Sequence, residues 1–228
     1  LRGEVLLKLE RFSDSVDAFT KCLKLGEPVA DVYRARSAAF AKLGRSRESM
    51  NDLTRSLELE PEAANMLTRR GWAYLLRAES LAEKDFAEAV EQNPENADSY
   101  FGLAYARVLQ GNISGAQQAV RDGVKRAEKQ FEEQGSTMIT WALFYNASTV
   151  FAQAIPHVHK SAQLSAEEKK KQIDMHVADA IKLLRRAKDV AGPEFAAILS
   201  QTVKSDQALD PIRSRPEFQQ LFSTTPSK

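Results

Sequence analysis

The sequence predicts an all-α fold: a right-handed superhelix of antiparallel helical hairpins, an α-solenoid closed by a C-terminal capping segment. Three observations predict it. Residues recur every 33 or 34 positions in three registers, Ser15, Ser49, Ala82, Ala116, then Phe19, Leu53, Phe86, Val120, then Cys22, Ser56, Ala89, Gly123. All three share one slip, a single residue lost between the second and third copies. A fixed period of this length marks stacked units that bury one another's apolar faces. Within each unit, Tyr33, Ser37, Phe40 and Leu67, Gly71, Tyr74 follow i, i+4, i+7 spacing, which lines up one helix face with bulky and small side chains alternating. Glycine and proline supply the third observation, because they fall between the periodic stretches.

Helices are expected over about 1–9, 13–25, 29–42, 46–59, 63–76, 80–92, 97–109 and 113–131. Pro28, Pro61 and Pro94 follow successive second helices, where a ring that cannot continue a helix marks the stop. Gly44 and Gly111 separate the helices of their hairpins, where a left-handed residue ends the first helix. The third hairpin is one residue shorter at its turn, and Ser80 with Glu83 forms a capping box there. Beyond residue 131 the period stops but helical character continues. Met138 to Ile155 is an apolar helix containing Trp141, Phe144, Tyr145 and Phe151, with Pro156 as its stop and 156–164 as a polar connection. Ser165 and Glu168 form a second capping box that opens an amphipathic helix to about Val190. Gly192-Pro193 ends that helix and starts another. Pro216 begins a last short helix with Phe218, Leu221 and Phe222. The expected domains are repeats over 1–130, a divergent fifth hairpin over 131–192, and a capping segment and tail over 193–228.

Composition narrows the function class. A net charge of +1 gives no global attraction to nucleic acid or anionic membrane. The single cysteine, Cys22, excludes an internal disulfide and fits a reducing, cytoplasmic setting; it occupies a small-residue slot and is expected to be buried. No apolar run reaches the roughly 20 residues of a membrane-spanning helix. Leu1 falls inside a helical pattern already under way, so the sequence is expected to be a fragment of a longer protein.

The recurring pattern resembles the tetratricopeptide repeat. Its best copy is Ala30–Pro61, with Tyr33, Ser37, Phe40, Gly44, Ser49, Leu53, Ser56 and Pro61 in the family's slots. Gly71, Tyr74, Ala82, Phe86, Ala89, Pro94 and Tyr100, Ala104, Gly111, Ala116 carry the next two copies. Arg36, Arg70 and Arg107 depart from the apolar preference of their positions. The resemblance covers about residues 1–125 and implies a protein-interaction scaffold that holds a peptide or partner helix on a concave inner face. The C-terminal residues Tyr145-Asn146-Ala147-Ser148, Leu209-Asp210-Pro211-Ile212-Arg213 and Arg215-Pro216-Glu217-Phe218 are similar to the endings of repeat arrays on some bacterial proteins, including serine/threonine kinases. That likeness implies an alternative role as a regulatory or substrate-docking module of a larger bacterial enzyme.

On that inner face the resemblance places three stripes: Arg34, Ala38, Ala41; Thr68, Trp72, Leu75; and Phe101, Tyr105, Val108. With Arg69 beside Trp72 they form an expected aromatic groove with arginine at one end. Its binding residues are Arg34, Ala38, Thr68, Arg69, Trp72, Phe101 and Tyr105. The Asn and Lys pair of the carboxylate-clamping variant is missing, whereas an acidic peptide suits the guanidinium groups. Arg34, Arg36, Arg45, Arg47, Arg55, Arg69, Arg70 and Arg77 are interleaved with Glu48, Asp52, Glu58 and Glu60. They read as a salt-bridged surface and not as a nucleic-acid platform.

Catalysis finds no support. His157 and His159 sit in the polar connection with no further ligand nearby, and His176 stands alone on a polar helix; zinc needs three or four ligands. No nucleophile and base are paired by any motif. No kinase glycine-rich loop, His-Arg-Asp or Asp-Phe-Gly occurs. The chain is expected to be a non-enzyme without cofactor or metal.

Overall fold

The size of one residue on the first helix of each hairpin is matched to one on the second. Along the chain the first-helix slot holds Gly3, Ser37, Gly71 and Ala104, and the second-helix slot Phe19, Leu53, Phe86 and Val120. All eight are buried. A Cβ on Gly3 would lie 2.7 Å from the Phe19 ring, and one on Gly71 2.8 Å from the Phe86 ring. A phenylalanine therefore stands opposite a bare backbone in the first and third hairpins, while in the second and fourth the same slots hold Ser37 with Leu53 and Ala104 with Val120. Volume across the contact stays nearly constant, as a close-packed interior requires. Burying a ring as fully as Phe86 contributes about 1.5–3 kcal/mol.

The computed structural model describes residues 2–26, 29–61, 63–75 and 81–222. They fall into two compact units, Leu1–Pro94 and Glu95–Lys228. Every regular element among them is helical. The first unit contains α1 (Arg2–Lys8), α2 (Phe12–Leu25), α3 (Ala30–Lys42), α4 (Ser46–Leu59), α5 (Ala64–Leu75) and α6 (Leu81–Gln92). Each odd helix packs on the even helix after it, and α2 on α3 and α4 on α5 link the hairpins.

Hairpin turns follow one geometry. Gly44 and Gly111 adopt φ of +70° and +79°. The residue after each donates its N–H back across the turn, Arg45 to Phe40 O and Asn112 to Arg107 O, both at 2.9 Å. This closes the helix end with a left-handed residue, as the sequence predicts. In the first hairpin the slot is filled by Glu10 at φ 57°, with Arg11 N–H on Leu6 O at 2.9 Å. The corresponding turn of the third hairpin, with the expected Ser80–Glu83 capping box, lies outside the described residues.

The second unit contains α7 (Ala97–Leu109), α8 (Ile113–Gln134), α9 (Met138–Lys160) and α10 (Ala166–Ser205), then a 3₁₀ turn (Gln207–Leu209), α11 (Asp210–Arg213) and α12 (Pro216–Phe222). Both α7 and α8 pack on α9, which in turn carries α10. The Ser165 box forms as expected: its Oγ accepts from Glu168 N–H at 3.2 Å, and its N–H donates to Glu168 Oε2 at 2.8 Å. Thr137 and Thr140 make a reciprocal box at the start of α9 that the sequence reading missed. Gly192, at φ 56° and ψ −167°, breaks α10 where the Gly-Pro pair predicts.

Two expectations are corrected. Pro156 does not end α9, which runs through it to Lys160. A proline removes one N–H, but Val158 beyond it is buried at 3% exposure, and that anchorage carries the helix another turn. His157 and His159 therefore sit on the last turn of α9, not in a loop. Cys22 is half-exposed, not buried.

The C-terminal elements cover α9 and α10. Leu209 and Ile212 are fully buried. Gln153 Nε2 donates to Ala208 O at 2.7 Å, and Arg213 donates to Val203 O and Asp206 O at 3.0 and 2.7 Å. Tyr145 O–H donates to Asp206, and Lys188 Nζ donates to Leu221 O at 2.8 Å. These are the contacts of a terminal cover over an apolar face.

Candidate functional site

Within the first unit, α3 and α5 carry five of the expected groove residues. Arg34 is not an open anchor. Its Nη1 donates to Glu60 Oε2 at 2.5 Å and its Nε to Asp31 Oδ1 at 3.1 Å. Hydrogen bonding to Glu60, then to Asp31, raises its pKa. Ala38 is half-buried and Ala41 exposed. Thr68 is buried and turns its hydroxyl back onto its own helix, Oγ1 to Ala64 O at 3.0 Å. It offers nothing to a ligand.

Arg69 and Trp72 differ. Arg69 is exposed and makes no hydrogen bond or ion pair among the described residues, yet enough protein surrounds it that desolvation lowers its pKa. One turn on, Trp72 is half-buried, its ring edge-to-face with Phe86 at 5.3 Å and 75°. One side of the indole is fixed by the core, and part of it meets solvent. A guanidinium without a partner beside a held aromatic is the chemistry of an interface anchor.

The stripe expected on α7, in the second unit, is largely core. Phe101 and Val108 are fully buried. Phe101 enters the space left by Gly123, where an added Cβ would lie 2.6 Å from the ring. Only Tyr105 is partly open; burial and then the nearby Asp206 carboxylate raise its pKa.

The arginine-rich stretch behaves as a salt-bridged surface at most positions. Arg45 pairs with Glu48 at 2.8 Å and Arg55 with Glu58 at 2.6 Å. Arg36 and Arg70 go further, reaching into the hairpins to Asp52 and Asp85, each at 2.7 Å. Arg107 donates to Gly115 O at 3.1 Å. The three positions that depart from the repeat pattern are thus structural fasteners. Arg77 lies outside the described residues.

His176 is not on a polar face. It is 1% exposed, its ring 5.9 Å from Phe151, and neither nitrogen has a hydrogen-bond partner among the described residues. Burial lowers its pKa, with Asp179 opposing. Among the described residues no three His, Cys, Asp or Glu side chains are grouped to hold a metal ion, and no helix is long and apolar enough to cross a membrane.

Residues 86–118 match the tetratricopeptide repeat family model. This stretch is similar to a tetratricopeptide repeat. Over 141 residues the chain is 32% identical to sperm-associated antigen 1A of Danio rerio, covering 58% of this chain and 28% of that protein. It is 21% identical over 103 residues to an Hsp70-Hsp90 organizing protein of Triticum aestivum, covering 45% of this chain and 18% of that one. The chain thus spans less than a third of these relatives' lengths. Among solved structures it is similar to MamA, with a TM-score of 0.62, 13% identity, and coverage of 82% of this chain and 96% of that one. YrrB, a tetratricopeptide-repeat protein with an unusual peptide-binding site, gives a TM-score of 0.56 at 15% identity, covering 88% of each chain. The fold is therefore that of tetratricopeptide-repeat solenoids.

Proposed function

We propose that this chain is a protein–protein interaction scaffold whose expected peptide groove is centred on Arg69 and Trp72 of α5. The observation carrying this reading is the exposed Arg69, which makes no hydrogen bond or ion pair among the described residues, one turn from a tryptophan held edge-on by Phe86. Preorganised indole area is contributed at low entropic cost, and a free guanidinium selects a carboxylate or carbonyl of the bound segment. The names of two similar proteins point the same way, one organising chaperones and one with a peptide-binding site. Arg34, Thr68 and Phe101 leave the candidate set because their side chains are already engaged. Ala38 stays as a flat neighbour on α3, and Tyr105 as a secondary contact on its own unit.

The test compares proteins captured by the immobilised wild-type chain with those captured by Trp72→Ala and Arg69→Glu, each monitored by circular dichroism. Partners lost from both variants, with helix content unchanged, are the expected result. An identical captured set from folded variants overturns the reading. The rival role, a regulatory or docking module of a larger bacterial enzyme, is separated by the reading frame upstream of Leu1.

A further inference from the structure

A groove of about 520 Å³ runs between α8 and α10, within the second unit. Its floor is apolar: Val120 and Val124 from α8, Phe151 from α9 beneath, and Leu183 from α10. Near the end of α8 the two helices are joined by Arg186 Nε donating to Glu128 Oε1 at 3.0 Å, and just beyond it Ser136 of the α8–α9 connection donates its Oγ–H to Ala191 O at 3.4 Å. The groove is open before that point.

Its banks carry more positive than negative charge. On α8, Arg121 donates to the neutral amide oxygen of Gln118, and Lys125 lies 4.0 Å from Asp122, which Gln118 already engages. On α10, Lys182 and Arg185 are exposed and make no hydrogen bond or ion pair among the described residues. Glu128 is neutralised by Arg186, which leaves Asp179 and Asp189 as the lining acids. Four cations outnumber two carboxylates around an apolar floor.

We propose that this groove is a second docking surface, for an acidic amphipathic segment of a partner protein. Apolar side chains of that segment enter between α8 and α10. Its carboxylates meet Lys182 and Arg185 on one bank and Arg121 and Lys125 on the other. A nucleic acid fits less well, because Asp179 and Asp189 would repel phosphates and the floor between the banks is apolar. A second copy of the chain would bring two cationic banks together.

The test uses a fluorescein-labelled helical peptide built of leucine pairs and glutamate pairs, a copy with lysine for glutamate, and a copy with serine for leucine. Anisotropy titration of the full chain is expected to show the acidic leucine peptide binding about tenfold or more tighter than either copy. Lys182→Glu/Arg185→Glu removes that preference or inverts it toward the lysine peptide, with circular dichroism unchanged. Lys21→Glu/Lys24→Glu, an equal charge change on α2, leaves it intact. Equal binding of all three peptides, no binding, or insensitivity to the α10 reversal overturns the proposal. So does displacement of the peptide by a single-stranded oligonucleotide, or a dimer in sedimentation that the reversal dissolves. Arg69→Glu is expected to leave the titration unchanged, so failure here and failure of the α5 reading are distinguishable.

Discussion

Arg70 and Asp85 meet through two parallel hydrogen bonds, Nε to Oδ2 at 2.7 Å and Nη2 to Oδ1 at 2.8 Å, fastening α5 to α6. Arg36 and Asp52 repeat the arrangement between α3 and α4, both bonds at 2.7 Å. In each case the remaining nitrogen reaches a threonine of the preceding hairpin, Thr54 at 3.4 Å or Thr20 at 3.0 Å. The equivalent positions in the fourth hairpin hold Leu103 and Ala119, both buried. One fold position thus accepts an ion pair or an apolar pair.

A double-mutant cycle follows from that equivalence. Asp85→Ala alone leaves a largely buried guanidinium unpaired and is expected to destabilise the chain by about 3–5 kcal/mol. Arg70→Leu combined with Asp85→Ala reproduces the fourth hairpin and is expected to fall within about 1 kcal/mol of wild type. Urea denaturation measures both. A double variant as unstable as the single one contradicts the exchange.

This relationship also marks what the sequence disclosed. Arg36 and Arg70 are 34 apart and Asp52 and Asp85 are 33 apart, the spacing and slip of the other series. The pairing was therefore readable, but an apolar template made the arginines look like exceptions. The repeats and hairpin turns were legible because their signals are local. The groove stripe was not, because exposure depends on the facing helix. Phe101 is buried since Gly123 on α8 opens space for it, and equal spacing along α7 carries no information about α8. Pro156 misled for a related reason: its local preference is outweighed by the burial of Val158.

The size matching between helices predicts a compensated pair. Gly71→Ala pushes a methyl to 2.8 Å from the Phe86 ring and is expected to cost about 1–3 kcal/mol through overpacking. Adding Phe86→Leu, which recreates the Ser37-and-Leu53 scale of the second hairpin, should recover at least part of the loss. Thermal unfolding of the four proteins checks this. Additive destabilisation would show that the slots are independent and the size matching coincidental.

Glu10 occupies the left-handed turn position that Gly44 and Gly111 fill elsewhere. A side chain there is strained by about 1 kcal/mol, partly offset by the extra freedom glycine has when unfolded. Glu10→Gly is expected to raise stability by a few tenths to about 1 kcal/mol, and Gly44→Glu to lower it by a comparable amount. Opposite signs in denaturant midpoints are the expected result. Equal signs would show that the turns are not equivalent.

His176 gives the fold a pH dependence whose sign is fixed by burial. The folded chain favours the neutral imidazole, because burial lowers the pKa and the opposing pull of Asp179 does not overcome it. The unfolded chain takes up the proton near pH 6.5. Below that value, and until the lowered folded pKa is reached, the unfolded state binds more protons and stability falls with falling pH. Above about pH 6.5 the contribution is constant. His176→Leu removes the titrating group and two nitrogens without partners. Carboxylates elsewhere titrate in both proteins, so the informative quantity is the stability difference between them. That difference should be flat from pH 8 to 7. It should then shift in favour of the leucine variant as pH falls from about 6.5 toward 5.5, by up to about 1.4 kcal/mol per pH unit. Urea titrations at a series of pH values measure it. A difference that stays constant to pH 5.5 would mean that the imidazole is protonated equally in both states, contrary to its burial against Phe151.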